Sequence, residues 1–234
     1  MTASEWSSRI LNLFINPEEA MTFEDPSDGK IWKRALGIQL LFVTLLTAVW
    51  NMRVDWLSFF ENMRDRAPGM TAQGAEMSAA FMEKWGLTFS LIGVYVAIPL
   101  FVFGFALFYW FIGRRTFTSL EAPTYNQALA VATVSGLAVV PSTLITTLMS
   151  LIKEVGGTSI ERLSPTNLSF WVEPSSLKLD TLIQKVDLFT LFAYYLVYVG
   201  SKTIMKTSKA GALMCALVPP VLYFLFLLYR TRGM

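Results

Sequence analysis

The residues best suited to chemistry lie in the stretch KVDLFTLFAYYLVYVGSK, which runs from residue 185 to residue 202. This apolar segment carries a carboxylate, Asp187, near one end and an ammonium group, Lys202, at the other. Because a helix rises by about 1.5 Å per residue, the two charges would stand about 22 Å apart and cannot pair within one helix. Each is instead predicted to lie near a membrane interface, where solvation or snorkelling tolerates a charge.

Polar side chains form a stripe between these two charges. In a helix they would share one face, at offsets of 0, 3, 7, 11 and 14 residues: Asp187, Thr190, Tyr194, Tyr198 and Ser201. Residues that face lipid have no reason to be polar, so this face is predicted to point into the protein. It could line a path for a substrate or an ion. Alternatively, it could form interhelical hydrogen bonds and anchor the tyrosines, which is the interpretation that we favour. A buried stripe predicts that Asp187→Leu impairs the protein more than Asp180→Leu, since Asp180 lies in a predicted loop.

The rest of the sequence contains no catalytic signature. Histidine is absent, which removes the usual general base at neutral pH and the commonest metal ligand. Cys215 is the single cysteine, so an intramolecular disulfide and a thiol-based metal cluster are excluded. No GxSxG, HExxH or phosphate-binding glycine loop occurs. We therefore expect no catalytic residue, no cofactor and no metal.

The composition favours a protein embedded in a bilayer. Hydrophobic residues make up 54% of the 234 residues, and charged residues make up 15%. Soluble domains contain about 25% charged residues, which a fully solvated surface requires. The net charge of +2 and the lack of long basic runs argue against nucleic acid as a partner.

Five apolar segments are long enough, or nearly so, to cross a membrane, which takes roughly 20 residues. The predicted fold is an all-α, polytopic bundle of five transmembrane helices. The spans cover about 35–51, 86–113, 128–152, 186–201 and 210–229, and the fourth is marginal in length. Residues 1–34 would form a cytoplasmic or interfacial segment, and residues 35–234 the membrane domain.

Amphipathic helices are predicted outside the spans. One apolar face in the N-terminal segment consists of Trp6, Ile10, Leu13 and Phe14, and another in the loop after the first span consists of Trp56, Phe59, Phe60 and Met63. The N-terminal helix could lie flat in the membrane interface or pack on the protein's own helices. Asn16 and Pro17 are typical of a helix start. The loop of residues 153–185 is expected to be irregular.

Small residues and prolines mark the interiors of the predicted spans. Small side chains that would let another helix approach closely are Ala128, Ala132 and Gly136 in the third span, and Gly93 and Ala97 in the second. Kinks are predicted at Pro99, Pro141, Pro219 and Pro220. Lys30, Lys33 and Arg34 precede the first span, which places the N-terminus in the cytoplasm by the positive-inside rule. Basic residues in the outer loops and at the C-terminus count against this orientation.

Three stretches resemble the Yip1 family of small five-span membrane proteins, in its bacterial-type form. They are RILNLFINPEEAMTF, APTYNQALAVATVSGLAVVPS and VDLFTLFAYYLVYVGSKTIMKTSKAGAL. In such proteins an Asp followed by an aromatic residue opens the fourth span, which Asp187 and Phe189 match. The resemblance implies an integral membrane protein, here of the bacterial inner membrane.

The resemblance implies no catalytic residues and names no partner for this chain. Eukaryotic members act in traffic between the endoplasmic reticulum and the Golgi and associate with prenylated Rab GTPases. Their cytosolic N-terminal region is longer than the roughly 34 residues here, which argues against Rab binding. We expect a non-enzymatic scaffold or adaptor whose partners are membrane lipids and another membrane protein or a second copy. The alternative is a component of a lipid or small-solute transport system that uses the polar stripe of the fourth span.

Overall fold

The computed structural model describes residues 3–64, 71–173 and 177–230, and these residues are helical apart from isolated β-bridges and connecting segments. The all-α fold class is confirmed. In chain order the helices are α1 (Ala3–Ile15), α2 (Pro17–Ala20), α3 (Gly29–Arg53), α4 (Trp56–Arg64), α5 (Ala72–Thr116), α6 (Tyr125–Gly136), α7 (Val140–Ile152), α8 (Ile160–Leu163), α9 (Leu177–Ile183), α10 (Leu188–Thr203) and α11 (Lys209–Arg230).

Among the described residues, four helices are long and apolar enough to cross a membrane. They are α3, α5, the continuous pair α6–α7 (Tyr125–Ile152) and α11. They correspond to the first, second, third and fifth predicted spans. The fourth predicted span corresponds to α10, which has 16 residues and is about 24 Å long, against about 30 Å for the hydrocarbon core. The count of five spans stays a prediction.

Helix starts follow from capping side chains. Asn16 accepts a hydrogen bond from the backbone N–H of Glu19 and precedes Pro17 at the first position of α2, so the predicted start is confirmed. Thr124 and Gln127 form a capping box at the start of α6: Gln127 Oε1 accepts from the N–H of Thr124 at 2.8 Å. These bonds satisfy backbone donors that the first helical turn would leave unpaired.

The third apolar segment is interrupted just before its proline. A short 3₁₀ turn, Leu137–Val139, separates α6 from α7. Pro141 has no N–H to donate to the carbonyl of Leu137, and its ring crowds that carbonyl, which favours a break in the α-helix there. α5 and α11 continue as helices through Pro99 and through Pro219 and Pro220. Bends at those three prolines stay predictions.

Backbone contacts divide the chain into two compact units. The first comprises residues 1–40, 97–140 and 189–224. Its core is built around α6, where Leu129, Val131 and Val134 are buried together with Leu196 of α10 and Cys215 of α11.

α1 packs on helices of the first unit. Trp6 and Leu13 are buried, and the ring of Phe14 stacks on Phe192 with 5.1 Å between centroids. Arg9 of α1 donates to the carbonyl of Ala20 at 2.5 Å, which ties α1 to α2. This is the packing that we considered as the alternative to a helix lying flat in the interface.

The second unit comprises residues 41–96, 141–188 and 225–234. Its apolar cluster includes Trp50 of α3 and Trp56 of α4, whose rings meet edge to face at 5.2 Å. Val155 and Leu163 from the segment after α7 are buried in the same cluster. This segment therefore takes part in the core of its unit.

The segment 153–185 contains short helices and two ion pairs between irregular stretches, so the expectation of an irregular loop is only partly correct. It contains α8, a 3₁₀ turn (Leu168–Phe170) and α9. Arg162 pairs with Asp180 at 2.6 Å, and Lys185 pairs with Glu161 at 2.8 Å. Asp180, which we expected in a loop, lies in α9 and is 3% exposed. It is therefore unsuitable as a loop control for Asp187, because its own replacement would disturb a buried ion pair.

Candidate functional site: a buried aspartate and its hydroxyl donors

Asp187 lies directly before the first residue of α10 and is 8% exposed. Its Oδ2 accepts a hydrogen bond from Thr166 Oγ1 at 2.5 Å and another from Ser142 Oγ at 3.1 Å. A buried carboxylate costs free energy unless donors replace its lost water, and hydrogen bonds to a charged acceptor are stronger than neutral ones. The two hydroxyls thus stabilise a polar group in the interior of the second unit.

A chain of hydroxyls leads away from the carboxylate. Thr166 Oγ1 lies 2.7 Å from Ser164 Oγ and 2.9 Å from Ser142 Oγ. Each hydroxyl has one proton to donate and can accept twice. With the protons of Thr166 and Ser142 both given to Asp187, Ser164 can donate to Thr166, and the contact between Ser142 and Thr166 is left without a proton of its own.

Backbone bonds fasten the same two segments to each other. The N–H of Leu168 donates to the carbonyl of Val186 at 2.8 Å, and the N–H of Leu188 donates to the carbonyl of Thr166 at 3.0 Å. The side chain of Asn167 donates to the carbonyl of Gln184 at 2.8 Å. We call residues 164–169 together with residues 184–188 the clasp. Because Ser142 belongs to α7, the clasp also joins the start of α10 to α7.

The other hydroxyls of α7 are turned back onto their own helix. Thr146, Thr147 and Ser150 are buried, and each donates to the carbonyl four residues earlier at 2.7–2.8 Å. Such bonds satisfy a hydroxyl inside an apolar helix bundle without a partner from another element. These three hydroxyls are consequently engaged in local structure.

The remaining members of the predicted polar stripe lie along α10. Thr190, Tyr194 and Tyr198 are half-buried, and Ser201 is fully buried. Lys202 is exposed, and its ammonium lies 5.8 Å from the centre of the Tyr198 ring. Asp187 belongs to the second compact unit, and the other four stripe residues belong to the first. A role of the stripe as a path stays a prediction.

The predicted packing face of the third span has a polar neighbour at its end. Ala128 is fully buried and Ala132 is half-buried. At Gly136, an added Cβ would lie 2.6 Å from the amide nitrogen of Gln39, which donates to the carbonyl of Thr133. The small residue at this position leaves room for the Gln39 side chain of α3.

The corresponding residues of the second span have a different environment. Gly93 is exposed, and within the described chain nothing lies within 4 Å of a Cβ added there; Ala97 is half-buried. Close helix packing at Gly93 and Ala97 stays a prediction.

Sequence reasoning missed the partners of Asp187. Ser164, Thr166 and Asn167 occur in the run SPTNLS, whose composition is typical of turns. That signal predicts local turn structure, and it contains nothing that points to a carboxylate 21 residues further along.

The apolar composition and the long apolar helices define the class of the protein: it is an all-helical integral membrane protein. A family model described as the Yip1 domain matches residues 11–230, nearly the whole chain. The chain therefore belongs to the Yip1 family, and the resemblance noted in the sequence is confirmed. A search of the curated proteins and a search of the solved structures found no match to the chain.

Proposed function

We propose that the protein is a non-enzymatic scaffold or adaptor of the membrane, which binds another membrane protein or a second copy of itself through α5. The observation that carries the proposal is how little of α5 the rest of the chain covers. In an apolar 18-residue stretch of α5, 6% of the residues are buried, against 67% in the corresponding stretch of Tyr125–Ile152.

The uncovered surface of α5 is large and rich in bulky side chains. The helix has 45 residues and a length of about 67 Å, which is more than a bilayer core requires. Its strongly exposed apolar residues include Phe89, Ile92, Val96, Leu100, Phe101, Leu107 and Phe111. Membrane helices associate through van der Waals packing, which small residues such as the exposed Gly93 allow to be close, so α5 offers a partner a long surface.

The proposal includes a topology of five spans, with α10 as the fourth. The N-terminus lies in the cytoplasm of a bacterium, because Lys30, Lys33 and Arg34 lie in the first two turns of α3, before its apolar stretch, and positive charge is retained on the inner side. α1 touches the membrane interface with the face opposite to its packed one, where Leu11 is 61% exposed and Ile15 is 71% exposed.

The contacts of Asp187 support a structural role for this residue over a transport path. Its carboxylate accepts from Thr166 and Ser142, and the hydroxyls that follow on α7 bond to their own helix. A transport path needs polar groups that a passing solute can engage. We therefore place Asp187 in the framework of the protein.

Photo-crosslinking in native membranes tests the proposal. A benzophenone amino acid replaces Phe101 on α5, and the matched control replaces Leu222 on α11; the two side chains are 63% and 59% exposed. We expect a discrete protein adduct from the α5 position, with the control giving a weaker adduct or none. Adducts to lipid alone at both positions would contradict the adaptor function.

A second measurement separates the adaptor from the transport alternative. Purified protein in liposomes is assayed for lipid scrambling and for solute flux, with Asp187→Asn and Tyr194→Phe as variants. We expect no flux above that of empty liposomes. Flux that either substitution abolishes would replace the adaptor function with transport along α10.

A further inference from the structure

We propose that residues Leu168–Val172 enter the membrane and complete the crossing that α10 begins. We call this segment, with the sequence LSFWV, the apolar wedge. The inference rests on the proposed function to the extent that α10 must be a membrane span. Its partner is the lipid of the interfacial and outer acyl-chain region.

α10 is too short to cross a bilayer by itself. Between Asp187 and Lys202 lie 14 uncharged residues, 188–201, with a helical length of about 21 Å against a hydrocarbon core of about 30 Å. The uncharged stretch of α11, residues 210–229, has 20 residues and a length of about 30 Å. Other apolar surface must fill the gap at one end of α10, or the bilayer must thin there.

The apolar wedge lies beside the first residue of α10. Leu168, at its start, is bonded through its N–H to Val186, and the N–H of Leu188 is bonded to Thr166. The apolar wedge is thereby held next to Leu188, which is 65% exposed. It adds apolar surface beside Leu188, the first residue of α10.

The apolar wedge presents a mainly apolar surface. Three of its five side chains are exposed apolar groups: Leu168 at 39%, Trp171 at 71% and Val172 at 39%. The apolar wedge has no charged residue, and the charge that follows it is the exposed Glu173. Large apolar side chains gathered in this way on a segment outside the helices are typical of a surface that contacts a membrane or a partner.

Unpaired backbone groups are very costly in lipid, and the backbone donors of the apolar wedge are paired. Each of its five N–H groups has an acceptor in the protein. Leu168 donates to the carbonyl of Val186, Ser169 to the side chain of Asn167, Phe170 to the carbonyl of Asn167, and both Trp171 and Val172 to the carbonyl of Leu168.

The indole N–H of Trp171 also has a hydrogen-bond acceptor within the protein. Its Nε1–H donates to the carbonyl of Pro165 at 2.8 Å, so the polar edge of the ring is satisfied within the protein. The rest of the ring is free to contact lipid, and tryptophan is enriched at membrane interfaces for this reason. Satisfied donors and an exposed ring together favour lipid, rather than water, as the medium around the apolar wedge.

Nitroxide labels in a Cys215→Ala background test the depth of the apolar wedge. One label replaces Trp171, one replaces Tyr195 on α10 (48% exposed), and one replaces the exposed Glu154 in the segment after α7. The full chain is placed in phosphatidylcholine nanodiscs. Accessibility to oxygen, which partitions into lipid, is compared with accessibility to a water-soluble nickel chelate.

We expect the labels at positions 171 and 195 to favour oxygen and the label at position 154 to favour nickel. A nickel-accessible label at 171, with 195 protected, would overturn the apolar wedge and leave the span of α10 intact. A nickel-accessible label at 195 would overturn both the span and the inference built on it. Protection of position 171 from both reagents would mean that protein covers the apolar wedge, which also overturns contact with lipid.

A second measurement uses no label, so it does not depend on whether the Cys variants fold. Tryptophan fluorescence of the wild-type chain and of Trp171→Phe is measured in bilayers of brominated phosphatidylcholine. We expect a larger quenched fraction in the wild-type chain, because Trp171 would lie within reach of the bromine atoms. Equal quenched fractions would contradict the inference.

Discussion

The hydroxyl of Thr166 lies 2.5 Å from the carboxylate of Asp187, although 21 residues separate them along the chain. Ser142, 45 residues before Asp187, donates to the same oxygen at 3.1 Å. These two bonds and the backbone bonds of the clasp fix where α10 starts. The bonds of Asp187 therefore connect Thr166, and Ser142 of α7, to the residue directly before α10.

Thr166→Val is expected to destabilise the protein, because the buried carboxylate of Asp187 loses the hydroxyl that donates to it. Valine preserves the shape of threonine and removes the donor, and losing one partner of a buried polar group costs about 1–3 kcal/mol. The free energy of unfolding in mixed detergent micelles measures the effect. Thr203→Val is the matched control, because the Thr203 hydroxyl donates only to the carbonyl of Val199 within its own helix among the bonds of the described chain.

A double-mutant cycle shows whether the loss runs through Asp187. In an Asp187→Asn background the carboxylate charge is gone, so Thr166→Val should cost less than in the wild-type chain. Residues in direct contact show coupling energies of about 0.5–3 kcal/mol. Additive effects of the two substitutions would mean that the hydroxyl acts independently of the aspartate.

The elements were largely predictable from sequence, and the partners of Asp187 were not. The length of the uncharged stretches predicts the long apolar helices. The start of α2 is predicted by its capping residue, and the break before Pro141 by the missing N–H of proline. Thr166 and Ser142 meet Asp187 only when distant segments fold together. No local sequence pattern around those residues predicts these contacts. The burial of Asp180 was not predicted for the same reason, since its partner Arg162 lies 18 residues earlier.

Two ion pairs in the segment between α7 and α10 should differ in strength. Asp180 is nearly buried beside Arg162, with side-chain exposures of 4% and 21%, whereas Lys185 and Glu161 are 31% and 32% exposed. Arg162→Ala leaves a buried carboxylate without its cation and is expected to cost up to about 3 kcal/mol. Lys185→Ala should cost less than about 1 kcal/mol, because solvent screens an exposed pair.

Thermal unfolding at low and high salt distinguishes the two pairs. The effect of Lys185→Ala should shrink as salt screens the exposed charges, while that of Arg162→Ala should persist. Equal destabilisation by both substitutions would contradict the difference in burial.

Gly157→Ala is expected to destabilise the second unit through a backbone clash. A Cβ at Gly157 would lie 2.6 Å from the carbonyl carbon and oxygen of Ser58 in α4, atoms that cannot move without shifting the helix. Overpacking of this kind typically costs about 1–3 kcal/mol. In the control Gly93→Ala, a Cβ meets nothing within 4 Å in the described chain, and alanine favours the helix by up to about 1 kcal/mol. A neutral Gly157→Ala would show that the approach of α4 is looser than the structure indicates.

Gly93 also tests the proposed adaptor surface. Because the residue is exposed on α5, Gly93→Leu should leave the free energy of unfolding nearly unchanged and weaken the association with the partner or the second copy. The amount of crosslinked adduct formed from position 101 measures the association. Unchanged adduct with unchanged stability would place the partner on another face of α5.

At acidic pH, the free energy of unfolding should depend on Asp55, which caps the start of α4. The hydroxyl of Ser58 donates to Oδ2 of Asp55 at 2.6 Å, and the N–H groups of Leu57 and Ser58 donate to Oδ1. These donors stabilise the ionised form and lower the pKa of Asp55 below its ordinary value of 3.8, with the Ser58 hydroxyl as the largest cause. A carboxylate whose pKa is lower in the folded state stabilises that state fully above the unfolded pKa. The contribution is lost as the pH falls below 3.8 towards the native pKa.

In Asp55→Asn the free energy of unfolding should consequently fall less steeply over this acidic range than in the wild-type chain, as measured by detergent unfolding at successive pH values. Ser58→Ala, which removes the main donor, should move the acid limb towards that of Asp55→Asn; an acid limb identical in all three proteins would contradict the role of this cap.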